Sequence, residues 1–414
     1  MITRRTTLKT IGGAAAAGAA LSMSWVGRTW GQDEIPVGLL LDATGVMTRL
    51  GIPAIKGSQF AIEDINARGG VLGRKLKLIS LDTQSDIKLY SEYTTRLILQ
   101  DKVSVIMGGI TSASREAVRP VIDKQRTTYW YNYEYEGGVC DKLAFVAGET
   151  PTQQMEPILR YFYKTHKTPK IYTLAADYNF GHISAAWLRW YLKGKYNAGT
   201  LVGEEFFPLD VTNFDTVLTR LETAKPDIIM SFLVGGNHIA FYRQYAARGL
   251  KEMAPIGTTT LGLGNEQVVL TPEEGEGITV CFAYFVELDT PANQEWKNRW
   301  QKRFGSLADL ADGSLTYWTA WQLWALGVNK AGTLEPDPVI KALESGLTYD
   351  SPTGQVTLDP QTHHVVYTMH LAQINRARAF NVIENYPNVS PEDTAMYCDL
   401  IKKPDQHVQY TPQQ

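Results

Sequence analysis

GGITSASREAVRPVIDKQRTTYWYNYEYEGG, residues 108–138, decides the reading of this chain. A strand over 103–109 runs into it and breaks at the glycine pair. The next five residues, Ile110, Thr111, Ser112, Ala113 and Ser114, mix hydroxyls with small side chains ahead of a helical pattern over 114–124. The first free N–H groups of that helix therefore face outward beside Thr or Ser hydroxyls. Such an end binds anions and carbonyl oxygens. A second strand, 127–131, leads into a loop carrying Tyr133, Glu134 and Tyr135, so that five aromatics fall within the seven residues from Tyr129. Taken singly, a small-residue turn is packing and a YWY strand is core. Together, at successive strand ends, they predict a ligand site, because open α/β sheets bind at their carboxyl edges.

The same grammar extends outward. Residues 35–41 read as a buried strand with a polar turn at 42–45, 51–67 as an amphipathic helix, and 76–81 as a strand whose exit, 82–86, is polar. A helix over 90–100 completes that series. It restarts with a helix at 155–165 and a strand at 170–175, whose exit at 176–181 carries Tyr178 and Phe180. A helix at 183–197, a segment at 203–208, a helix at 214–223 and a strand at 227–232 follow. That strand exits through Val234, Gly235, Gly236 and Asn237 into a helix at 238–248, and 255–260 supplies one more strand. Strands alternating with helices imply parallel, doubly wound sheets, here in two Rossmann-like α/β lobes. The helix over 316–330 places Tyr317, Trp318, Trp321 and Trp324 at spacings of a core face.

At the amino end, Arg4 and Arg5 precede an Ala- and Gly-rich run over 11–26, the pattern of a twin-arginine signal peptide. Cleavage is expected near Gly31, which predicts export to the periplasm. Removing residues 1–31 takes away Arg4, Arg5, Lys9 and Arg28 and no acid, leaving 36 basic against 43 acidic residues and a formal net charge of −7. No basic run interleaved with aromatics points to nucleic acid, and no second long apolar segment spans a membrane. Three cysteines, Cys140, Cys281 and Cys398, allow at most one internal bridge. GxSxG, HExxH, phosphate-loop and GxGxxG motifs are absent, so neither an enzyme nor a cofactor is predicted. His363 and His364 are neighbours on a strand pattern and point to opposite faces, which argues against a metal pair.

The run GSQFAIEDINARGGVLGRKLKLISLDTQSD, residues 57–86, resembles the opening of type I periplasmic solute-binding proteins of the leucine/isoleucine/valine-binding class. More narrowly, GGITSASREAVRPV, YEYEGG, GETPTQQMEP, ADYNFG and AYFVELDTPANQEW, in this order, resemble the urea and short-chain amide binding branch. The resemblance implies a two-lobed clamp joined by a three-strand hinge, which delivers a small solute to the membrane permease of an ABC importer. Crossings are expected near 148–152, 283–289 and 349–354. The first lobe would hold 32–149 and 288–350, the second 150–287 and 351–414 with a polar tail. Ser112 falls where the amide binders place a hydroxyl and N–H on the ligand carbonyl, and Tyr131 and Tyr178 fall on pocket aromatics. The same strand exits and the second crossing add Thr111, Tyr133, Glu134, Phe180, Gly235, Asn237 and Tyr284 as ligand-binding candidates. The run at 131–137 departs from the branch's usual YPxxYEG by losing a proline and gaining Glu134, which favours a ligand rich in N–H donors or positively charged. Alternatives are a branched-chain or other small amino acid, or a small cationic nitrogen compound. Amino-acid binders of the wider class place an acid in the second lobe for the ammonium group, and 234–237 has none. An amide hydrolase and an amide-sensing regulator of the same fold are the rivals of another class, and the signal peptide argues against the regulator.

Overall fold

The computed structural model describes residues 34–133 and 135–413. The expected signal peptide with its cleavage point, and Glu134, lie outside them. The first sheet is built from β1 (Ile35–Leu41), β2 (Leu76–Asp82), β3 (Ile106–Gly108), β4 (Tyr129–Tyr131) and β6 (Ala144–Val146), with the short β5 (Val139–Asp141) set apart from it. Its strands run parallel in the order β2-β1-β3-β4-β6. Strands covered on both faces are apolar throughout rather than alternating, and Leu39, Leu40 and Leu41 in β1 are all fully buried. The connecting helices are α1 (Thr48–Ala67), α2 (Ile87–Leu99) and α3 (Ser112–Gln125).

After α4 (Pro151–Tyr163) the pattern repeats through β7 (Lys170–Ala176), α5 (Asn179–Trp190), β8 (Thr200–Phe207), α6 (Asp215–Ala224), β9 (Ile228–Phe232), α7 (Gly236–Ala247), β10 (Ile256–Thr258), the short α8 (Pro272–Gly275) and β11 (Thr279–Phe282). These strands are parallel in the order β8-β7-β9-β10-β11. The helix expected to run to 197 gives way at Tyr191–Lys195 to a π turn.

Three helices, α9 (Pro291–Phe304), α10 (Asp312–Ala331) and α11 (Pro336–Leu343), come next. α10 lies along α1, so closely that a Cβ on Gly57 would sit 2.3 Å from the carbonyl oxygen of Ser314. The aromatic face of α10 is core: Trp318, Trp321 and Trp324 are buried, and Trp318 meets Trp296 at 5.8 Å.

The remaining strands depart from the all-parallel expectation. β12 (Thr348–Ser351), β13 (Gly354–Leu358), β14 (Val365–Ile374) and β15 (Phe380–Val389) are antiparallel neighbours, and β14 also runs antiparallel to β11, so the second sheet is mixed. Short hairpins permit only this direction. The turn between β14 and β15 is fastened by Asn375, whose side-chain oxygen accepts the N–H groups of Ala377 and Ala379 at 2.8 and 3.2 Å.

The tail is also structured. Beyond α12 (Glu392–Ala395), a disulfide joins Cys398 to Cys140, and β16 (His407–Gln409) pairs antiparallel with β5. Tyr397 stacks on Tyr410 and meets Trp187 of α5 edge-on at 5.7 Å. Cys281 is free and buried. Among the described residues no helix is long and apolar enough to cross a membrane.

Candidate functional site

Both parallel sheets share one strand order, with the second strand of each unit outside the first and the third inside. Their switch points therefore lie between β1 and β3 and between β7 and β9, where ligands of such sheets bind. Four loops leave these points. From the first sheet come the loops after β1 and β3, bearing Asp42, Val46 and Met47, and Thr111. From the second come those after β7 and β9, bearing Tyr178, and Gly235.

These loops meet around a cleft. One cavity of about 180 Å³ is lined by Asp42, Val46, Met47, Ser85, Ile87, Tyr90, Thr111, Ala113, Tyr178 and Leu209. A second, about 210 Å³, is lined by Arg49, Leu50, Gly235, Gly236, His238, Ile239, Glu266 and Val269, and shares Val46 and Met47 with the first. Met47 is thus a partition. Gly235 opposite it is in the left-handed region (φ 70°), and a Cβ there would sit 3.9 Å from the methionine sulfur.

The amino end of α3 is built as its hydroxyls predict. Thr111 caps it, accepting the N–H of Ser114 at 3.1 Å, while Ser114 Oγ accepts the N–H groups of Ile110 and Thr111. Thr111 and Ala113 face the first cavity. Ser112 is buried, and its Oγ accepts the backbone N–H of Phe180 at 3.1 Å, tying α3 to the amino end of α5. Tyr178 lines the same cavity, its ring 6.0 Å from that of Phe180.

The other candidates are placed differently. Tyr131 is buried and donates its hydroxyl to Ile110 O at 2.7 Å, and Tyr133, also buried, donates to Leu50 O at 3.0 Å. Neither lines either cavity. Tyr284 donates to Asn293 Oδ1 at 2.9 Å and lines neither cavity. Gly235 lines the second cavity, whereas Asn237 turns back on its own loop, accepting from Val234 N–H at 3.0 Å and donating to Pro208 O. Glu136, in the loop after β4, forms a fully buried ion pair with Arg115, and the guanidinium lies 4.9 Å from the Tyr131 ring and 5.1 Å from Tyr135. Burial opposes the charge on Arg115, but the carboxylates of Glu136 and Glu116 overcome it and raise its pKa.

Three groups at the cleft were not apparent from the pattern of the chain. Asp42 looks like an ordinary turn residue, yet it is buried and accepts hydroxyls from Thr83, Ser85 and Tyr90. His238 is buried with Nδ1 3.4 Å from Thr260 Oγ1, and burial pushes its imidazole down to about 3, so it is neutral. Glu266 accepts the N–H groups of Gly262 and Gly264 at 2.9 and 3.0 Å, and burial raises its pKa. His363 and His364 are spent elsewhere, on Glu344 Oε1 and Thr362 O.

Two parallel switch points closing on a common cavity define a bilobal solute-binding protein. The chain belongs to the periplasmic binding protein family, whose model matches residues 34–379. It is 23% identical over 337 residues to Leu/Ile/Val-binding protein homolog 7 of Brucella suis biovar 1, covering 75% of this chain and 81% of that one. It is 24% identical over 272 residues to the Leu/Ile/Val-binding protein of Escherichia coli K12, covering 60% of this chain and 67% of that one. Among solved structures, a solute-binding protein of an ABC transporter from Rhodopseudomonas palustris BisB5, in complex with 3,4-dihydroxybenzoic acid, shares the fold with a TM-score of 0.76. It is 21% identical and covers 87% of this chain and 100% of that one. An amino acid ABC transporter substrate-binding protein from Pseudomonas fluorescens Pf-5 has a TM-score of 0.77 at 21% identity, with coverage of 90% and 100%.

Proposed function

We propose that this protein is the periplasmic solute-binding component of an ABC importer, and that it captures a short-chain amide or urea between its lobes. The cavity at the two switch points carries the reading. It is small and mostly apolar, and it places the capped end of α3 across from Tyr178 without any lysine or arginine in its wall. A carbonyl oxygen suits the amino end of a helix, whose first N–H groups have no partner within the helix, and Thr111 and Ala113 of the α3 end line the cavity. The apolar wall of Val46, Ile87 and Leu209 suits a short alkyl chain, which favours a short-chain amide over urea. A benzoate, the ligand type bound by some structural neighbours, would meet no basic side chain there. The proposed first lobe comprises 32–149 and 288–350, the second 150–287 and 351–414, and solute binding draws them together before delivery to the permease.

A small amino acid is the second reading, favoured by the names of the curated relatives and by one acid in the cavity wall, Asp42, which takes the place of the missing acid in 234–237. Thermal unfolding with acetamide, propionamide, urea, leucine and 4-hydroxybenzoate separates the readings. A ligand of the folded state stabilises by about 2.7 kcal/mol at a hundredfold excess over Kd. Propionamide and acetamide should give the largest shifts. A response to 4-hydroxybenzoate alone would overturn the proposal.

A further inference from the structure

We propose that Asp42 is the specificity-determining residue of the cleft, its Oδ2 selecting a solute head that carries N–H donors or a positive charge. This rests on the reading that the cavity between Thr111 and Tyr178 is the solute site.

Asp42 ends β1 at the first switch point and is 2% exposed. Its oxygens are unequally used. Oδ1 accepts from the Thr83 hydroxyl and from Tyr90 Oη at 2.9 Å, which fills its two lone pairs. Oδ2 accepts only from Ser85 Oγ, at 3.0 Å, so one lone pair is left over beside the cavity that Asp42 lines. Among the described residues Asp42 forms no salt bridge, and no lysine, arginine or histidine lines that cavity. A buried carboxylate held only by hydroxyls is incompletely compensated. An N–H-bearing head completes it.

The surrounding loop is folded to produce this state. Gln84 and Ser85 are consecutive non-glycine residues in the left-handed region, with φ 55° and 58°. Two such residues persist only where the surroundings impose them. The conformation lets Ser85 Oγ donate to Asp42 while accepting the N–H of Met47 at 3.1 Å, so the residue that divides the cleft is anchored to the same acid. Asp82 fixes the facing turn, accepting the N–H groups of Ala43, Thr44 and Gln84. Anchoring alone would need no free acceptor. The leftover lone pair, the absent cation and the apolar wall of Val46, Ile87 and Leu209 together describe a site for a short apolar body with a nitrogenous head.

Calorimetric titration of the full mature chain with propionamide, propionamidinium and propionate, three ligands of one size, tests this. The wild type should prefer the two nitrogenous ligands to propionate. Asp42→Asn keeps an oxygen for Thr83 and Tyr90 and should weaken propionamidinium by about 30-fold or more and propionamide by about tenfold or less, a charged hydrogen bond being the stronger. Propionate should hold or improve. Ser85→Ala, which leaves the carboxylate and strips its only Oδ2 donor, should raise the preference for propionamidinium over propionamide. That second variant keeps the test open should Asp42→Asn not fold. Equal loss for all three ligands in Asp42→Asn, or an unchanged preference in Ser85→Ala, makes Asp42 a loop anchor only and overturns the inference. Tyr178→Ala separates this from failure of the site itself: undiminished binding there refutes the cavity as the solute site, whereas lost binding with an unmoved Asp42→Asn preference refutes Asp42 alone.

Discussion

Ser112 Oγ accepts the backbone N–H of Phe180 at 3.1 Å, so the first turns of α3 and α5, helices that follow strands of different sheets, are joined directly. On the proposed two-lobed reading, this bond belongs to the closed state. Ser112→Ala should therefore weaken solute binding through the closed state, by about 1 to 3 kcal/mol, the worth of a hydrogen bond to a buried N–H left unpaired. Calorimetry on the true solute measures it, and small-angle scattering should show a less compact liganded form. Unaltered affinity would make the contact incidental.

The disulfide between Cys140 and Cys398 closes a loop of 258 residues and pins the tail to β5. Chain-entropy arguments put such a bridge at about 5 to 6 kcal/mol. Cys398→Ser, or reduction of the wild type, should lower stability by up to that amount in urea titration, with amide exchange rising first over 397–410. Equal midpoints with and without reductant would show that β16 and the tyrosine stack hold the tail unaided.

Arg115 and Glu136 form a pair without solvent exposure at either side chain. Arg115→Ala leaves the buried carboxylate without its charged partner and should cost about 3 to 5 kcal/mol. The joint replacement Arg115→Met with Glu136→Gln should recover much of it. Failure of that rescue would locate the loss in the stacking of the guanidinium on Tyr131 and Tyr135.

Glu149 and Asp312 give stability a pH dependence. Glu149 Oε1 accepts the N–H of Ala283 at 3.1 Å, and Asp312 Oδ1 accepts that of Tyr284 at 3.0 Å. Burial raises the pKa of both, and for Asp312 the neighbouring Glu149 carboxylate adds to the effect. Folding thus takes up protons at the pair. Its contribution is fully present below the unfolded carboxylate range, about pH 4, and is lost as pH rises through the raised folded values. Glu149→Gln should be worst relative to wild type in acid and gain on it towards pH 8, measured by urea unfolding across pH. Parallel pH profiles for the two proteins would contradict the shared site.

The strand and helix units of the two parallel sheets and the capped amino end of α3 were legible in the sequence. Each follows from local physics: apolar runs covered on both faces, helical spacing, and hydroxyls ahead of a helix. The order of the sheets and the antiparallel additions at β12 to β15 depend on which strands meet, which periodicity does not encode. The same limit governs the cleft. Thr111 and Tyr178, which line the first cavity, could be picked out because they stand at strand exits, whereas Ser112 between them is buried against the amino end of α5. Tyr131 and Tyr133 stand at one too, but their hydroxyls turn inward to Ile110 and Leu50. Asp42 passes for a turn residue until the fold carries in its donors from 41, 43 and 48 residues away. The pairing of Cys140 with Cys398 and of Glu149 with Asp312 is likewise a product of long-range packing. Local sequence determined which segments form and which ends they expose; only the tertiary structure decided which buried groups find partners and which acceptor is left for a solute, because both depend on distances that the order of residues along the chain does not set.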